Sequence, residues 1–116
     1  MAKILLSDRI LGTTPFRGVI LQGPMGQCAN LGVIENAMRP SMENFHLDCP
    51  GGITYRSFGD GEILQKNWFW FGWDYGLQDG PLVDAQGTER TLEDIEHDLM
   101  DAAIQLRKKI QSLSAS

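Results

Sequence analysis

The sequence predicts an α+β fold: a small antiparallel sheet with a long carboxy-terminal amphipathic helix packed on it. Three observations carry that reading. Residues 68–75 hold six of the chain's ten aromatic side chains. Read as extended backbone, they place Phe69, Phe71, Trp73 and Tyr75 on one face and Trp68, Trp70, Gly72 and Asp74 on the other. Both faces are largely apolar, so this strand is expected to be covered on both sides. On the second face the bulk falls from two tryptophans to a glycine and then a carboxylate, a pattern that would open a cavity floored by an aromatic ring and finished by an acid at the strand end. Next, Leu92, Ile95, Leu99, Ala102, Ala103, Leu106, Ile110 and Leu113 recur at spacings of three and four, which makes one apolar helical stripe. Between these features, short apolar runs alternate with glycine-rich connections, as strands of a small sheet do.

Taken in order, Ile4, Leu5, Leu6 and Ile10 suit a short edge element or a helical turn. Residues 16–22 read as a strand entering a turn at Gly23-Pro24-Met25-Gly26. Residues 27–45 show little periodicity, and Leu31, Val33, Ile34, Ala37 and Met38 fit a short helix stopped before Pro40. Residues 45–48 alternate apolar and polar like a half-buried strand that runs into the Pro50-Gly51-Gly52 turn. A strand over 53–58 ends at Gly59-Asp60-Gly61, and the aromatic strand follows. A loop covers about 77–90. Thr91 is placed to cap the helix, with Glu93 and Asp94 in its first turn and Arg107, Lys108 and Lys109 toward its far end. The helix is expected over about 91–112, roughly 30 Å long, followed by a frayed tail at 113–116.

With 116 residues, the chain reads as one domain, its sheet region covering about 13–76. A hydrophobic fraction of 42% against 22% charged residues excludes a disordered chain. No apolar stretch approaches the roughly 20 residues of a membrane helix, and the amino terminus is too short and too soon charged for a signal peptide. A cytoplasmic protein that does not engage membranes is therefore expected, with Cys28 and Cys49 as free thiols. The net charge is −5, and the single basic run, 107–109, gives no continuous basic surface. This argues against nucleic acid as a partner, while one or two arginines and backbone amides remain able to hold a small anion.

No metal or cofactor is expected. There is no C-x-x-C pair, and His46 and His97 lie far apart. Neither G-x-G-x-x-G nor G-x-x-x-x-G-K-[ST] occurs, nor does the G-x-S-x-G turn of serine hydrolases. His46 and Asp48 read as a surface pair, and Cys28 as a small apolar residue without a neighbouring base. The residues that suggest a ligand are of another kind. Gly51 and Gly52 first suggest a tight turn needing positive φ, and second, amides able to approach a ligand closely. Thr54 would add a hydroxyl and Tyr55 an aromatic face. Trp70 and Trp73 read first as core and second as stacking platforms. Asp74 is a turn acid or an acceptor for a ligand amine or ribose. Arg17 and Arg56, in expected strands, are solvated or paired, or else face an anion.

Pro50-Gly51-Gly52-Ile53-Thr54-Tyr55, then Trp70-Phe71-Gly72-Trp73-Asp74 and the terminal amphipathic helix, together resemble a family of small bacteriophage proteins. The family pattern runs H-G-G-[LIV]-T-Y, a variable segment, W-[WF]-[FIV]-G-[FW]-D and a helix. The match covers roughly residues 48–112. This chain departs from it in carrying Pro50 and Leu77 where the family has histidines, so any metal or acid–base role of those histidines does not transfer. The resemblance implies a phage anti-defence protein, acting in the cytoplasm of an infected bacterial cell, that sequesters a small nucleotide-derived immune signal without catalysis. Of the binding set, the resemblance carries over Gly51, Gly52, Thr54, Tyr55, Trp70, Gly72, Trp73 and Asp74; Arg17 and Arg56 are added from their own expected placement in strands, and the length of the helix suggests that it pairs with its copy in a homo-oligomer. Two alternatives stand beside this one: an enzyme degrading such a signal, and an inhibitor docking directly on a host defence protein.

Overall fold

Five strands form one antiparallel sheet in the order β1-β2-β3-β5-β4, where β1 is Ile4–Ile10, β2 Arg17–Gly23, β3 Gly26–Ile34, β4 Tyr55–Phe58 and β5 Trp68–Asp74. One long helix, α1 (Leu92–Ala115), packs on β2 and β3. This is the α+β arrangement expected from the sequence. The computed structural model describes residues 4–23, 26–61, 63–75, 82–83, 89–90 and 92–115. Thr91, Pro24, Met25, Leu77 and most of the expected 77–90 loop lie outside the described residues. Within that loop, Leu82–Val83 (β6) and Glu89–Arg90 (β7) pair as a two-stranded ribbon.

Antiparallel register sorts the sheet into two faces. Toward α1 lie the rows Ile20–Ala29–Trp73, Leu31–Phe71 and Val33–Phe69. The helix sets Ile95, Leu99, Ala102, Ala103 and Leu106 onto them, all buried, and Leu11, Phe16, Met42 and Leu47 join the same core. Each buried leucine, isoleucine, phenylalanine or methionine among them contributes about 1.5–3 kcal/mol of burial. The stripe that the sequence offered to both a sheet and a second copy is therefore occupied by the chain's own sheet. The large apolar residues α1 leaves exposed are Leu92 and Ile104. No helix of the described residues is long and apolar enough to cross a membrane.

Among the described residues, no helix covers the opposite face. There Val19, Leu21 and Trp70 form a small second cluster beneath Leu64, carried by the connection between β4 and β5, with Cys28, Ile63 and Trp68 packed against it. Gly32 makes this possible, since a Cβ there would lie 2.6 Å from Trp70 Cζ3.

The structure corrects several sequence expectations. Residues 26–34 are the central strand rather than the approach to a short helix. Its ladders to β2 and β5 run along its whole length, and pairing on both sides overrides the helix-like spacing of Leu31, Val33, Ile34, Ala37 and Met38. Only a 3-10 turn, Glu35–Ala37, follows, and Pro40 opens a second one, Pro40–Asn44, instead of closing a helix. Residues 45–48 bury Leu47 and expose His46 and Asp48 as expected, yet they join no ladder. Gln105 replaces one, accepting from Asp48 N (2.8 Å) and donating to Asp48 O (2.9 Å). The sheet also begins earlier than residue 13, since β1 is its edge strand. The helix persists to Ala115 because Ile110 and Leu113 extend the stripe onto the core.

Candidate functional site

On the helix-free face, β3 and β5 bring Asn30 and Gly72 into register, with Tyr55 of β4 beyond them. Gly72 presents no side chain, and an added Cβ would meet Asn30 Oδ1 at 2.5 Å and Tyr55 Cβ at 3.1 Å. Above this row lies a cavity of about 300 Å3, at the small end of the range for ligand pockets. Leu21 and Leu64 form an apolar wall, Thr54, Tyr55, Asp60 and Asp74 a polar rim, and Cys28 and Asn30 the floor. The strand end thus borders a cavity finished by Asp74, as the bulk pattern of 68–75 suggests, but the floor is Cys28 and Asn30 and not the expected aromatic ring.

Asn30 decides how the cavity reads. It is 4% exposed, and among the described residues its carboxamide makes no hydrogen bond. A buried amide left without partners costs about 1–3 kcal/mol, a cost that a ligand in the cavity would offset. At the rim, Thr54 Oγ1 donates to Asp74 Oδ2 (2.9 Å), and Thr54 N donates to Gly72 O (2.8 Å), which fixes the pair over the strand end. Tyr55 is 38% exposed, and its hydroxyl donates to Phe58 O. No arginine, lysine or histidine is among the described lining residues. Two other hollows, beside Met38, Arg39 and Phe58 and beside Ile34, Asn36 and Asn67, have no buried polar side chain in their walls.

Of the residues singled out in the sequence, Thr54, Tyr55, Trp73 and Asp74 border the cavity. The tryptophans do not serve as stacking platforms. Trp70 is fully buried in the second cluster, its Nε1 donating to Gln65 O (3.1 Å). Trp73 turns its indole into the helix-side core, where Nε1 donates to the Tyr75 hydroxyl (3.0 Å) and that hydroxyl donates to Asp98 Oδ2 (2.7 Å). Neither ring offers a face to a ligand, because each is needed to fill its own side of the sheet.

Gly51 and Gly52 make the tight turn that their spacing suggested, with φ of 76° and 78°, and Gly52 N donates to Cys49 O (3.1 Å). That turn aligns Thr54 with Asp74, but the glycines do not line the cavity. Neither arginine does so either. Arg17 clasps Asp8 through Nε (2.6 Å) and Nη2 (2.5 Å) and lies over the Trp68 ring. Its hydrogen bond to Asp8 raises its pKa further, against the opposing effect of burial. Arg56 lies on the opposite face over Phe71, and its Nη1 donates to Glu43 O (2.9 Å) and Phe45 O (2.8 Å), tying down the 40–45 segment.

The residues missed in the sequence are Asn30, Cys28 and Asp60, with Leu21 and Leu64 as the wall. The signal for Asn30 was present: a carboxamide in the middle of Cys28-Ala29-Asn30-Leu31-Gly32-Val33, on the face shared with Cys28 and Gly32. Among the described residues, no group of three or more His, Cys, Asp or Glu is arranged to hold a metal ion. No family model, no curated protein and no solved structure matches the chain.

Proposed function

We propose that this chain is a phage anti-defence protein that binds a small nucleotide-derived signal in the cavity over Asn30 and Gly72 and holds it without turning it over. The observation that carries the reading is the buried Asn30 carboxamide, without a described partner, at the floor of an open cavity with a polar rim. The sequence resemblance to small phage proteins supports the setting, and Thr54, Tyr55 and Asp74, which belong to the resembling blocks, supply the rim. Purified protein incubated with extract containing cyclic nucleotide and ADP-ribose-type signals, then washed and heat-denatured, should release an intact nucleotide-derived compound detectable by mass spectrometry. Release of nothing, with the signals unconsumed, would overturn the reading, and accumulation of a cleaved product would replace sequestration with catalysis.

A second reading, direct inhibition of a host protein, is favoured by one observation. The edge strand β1 exposes Ile4, Leu5 and Ile10 beside a backbone edge that pairs only with β2 in the described sheet. Stable co-purification of one host protein, undisturbed by small molecules, would select it.

A further inference from the structure

The cavity's charge and its buried amide specify more than a generic ligand. Asp74 brings an exposed carboxylate to the rim, and none of the described lining residues has a cationic side chain. A phosphate seated there would face like charge in a partly desolvated space, whereas the usual phosphate sites offer arginine, lysine or a nest of free amides. The amides nearest to hand are engaged, since Gly52 N is held by Cys49 O and Thr54 N by Gly72 O. What the cavity does offer is a buried planar carboxamide. It carries one acceptor oxygen and two donor hydrogens, the complement of a base edge that presents an acceptor beside an amine. The Thr54–Asp74 pair adds carboxylate acceptors suited to hydroxyl or amine donors, and the leucine wall suits the flat face of a base.

We infer that the pocket takes the nucleoside end of its ligand, with Asn30 reading the base edge and Asp74 accepting from ribose hydroxyls, and leaves every phosphate outside in solvent. This rests on the function proposed above and narrows it. A cavity of about 300 Å3 is at the small end of the range for ligand pockets and is matched to one nucleoside, so a larger signal would be gripped by one end. The missing Cβ at Gly72 is then a positioning device, since it gives the Asn30 carboxamide room to lie against β5, 2.5 Å from where a Cβ would stand.

The test is calorimetric titration of the full chain with adenosine, guanosine, cytidine and uridine, with the matching 5′-monophosphates, and with inorganic phosphate. The expected result is that one nucleoside binds within about threefold of its monophosphate and that inorganic phosphate displaces neither. Asn30→Leu should weaken that binding about tenfold or more, as losing a two-point contact to a base edge does. Should Asn30→Leu fail to fold, Asp74→Asn at the exposed rim provides the second reading, with a larger loss for the ribonucleoside than for its 2′-deoxy analogue. Binding confined to phosphorylated compounds and displaced by inorganic phosphate would overturn this inference while leaving sequestration standing. Silence from every nucleoside and nucleotide, together with no compound released from extract, would remove both.

Discussion

Under α1, Ile20, Ala29, Leu31, Val33, Phe69, Phe71 and Trp73 present an aliphatic and aromatic surface to the helix that closes over it. On the opposite face the neighbouring rows diverge: Gly32 makes room for the Trp70 ring, whereas Gly72 makes room for the Asn30 carboxamide, and a cavity lies above that second row. The central strand serves both faces by parity, giving Ala29, Leu31 and Val33 to the helix and Cys28, Asn30 and Gly32 to the open side. The difference teaches that stability and binding are separated by alternation along one strand, with a single residue step between them.

The largest expected effect lies on the closed face. Leu99→Ala, at a fully buried helix position, should lower unfolding free energy by about 2–5 kcal/mol in urea titration, while the folded fraction keeps its ligand. Equal loss of ligand retention would break the proposed division. Next comes Gly32→Ala. Its Cβ would press on three atoms of a Trp70 ring enclosed by Val19, Leu21 and Leu64, so an overpacking cost of about 1–3 kcal/mol is expected.

Gly72→Ala sharpens the comparison because it makes the same chemical change one row away. Its closest neighbour is the end of the Asn30 side chain rather than a ring, so a cost of about 1 kcal/mol or less is expected, with near-complete loss of ligand in the retention assay. A Gly72→Ala protein that melts like Gly32→Ala would show that the hollow is a packing feature.

The smallest effect is a pH dependence confined to the closed side. Burial raises the Cys49 thiol from 9.0 to about 11, with the Gly52 backbone hydrogen bond opposing the shift. Above pH 9.0 the unfolded chain releases this proton while the folded chain keeps it. Stability should therefore be level below that pH and decline toward about pH 11. The decline attributable to Cys49 is the difference between wild-type and Cys49→Ala midpoints, and parallel curves would remove the claim.

The sequence makes some of these elements plain and hides others for physical reasons. The aromatic strand declares itself by six aromatic side chains in eight residues, and the helix by its repeat at three and four. The turn at Gly51 and Gly52 is legible because only glycine adopts its φ readily. β3 is not legible, and the cause is the site itself: Asn30, beside the small residues Cys28 and Gly32, removes the bulky alternation that marks a strand covered on both sides. The same substitutions that hollow out the cavity erase the pattern, as expected where function departs from regular packing. Residues 45–48 mislead in the opposite sense, since Leu47 is buried as in a strand while Gln105, far along the chain, supplies the hydrogen bonds. The tryptophans are core residues, as their bulk first suggests, and only the second reading of them as stacking platforms fails, because sequence reports bulk and not which side of a sheet has room to spare.

The strand order also sets the sequence of events in time. β1, β2 and β3 form a meander of short connections, whereas β5 must come back to β3 across residues 35–67. Closing the longer loop is the slower encounter, so Asn30 is expected to remain hydrated on the meander until Gly72 docks beside it. A ligand that needs both residues has nothing to grip before that moment. It should lengthen the lifetime of the finished protein by slowing unfolding while leaving the refolding rate untouched.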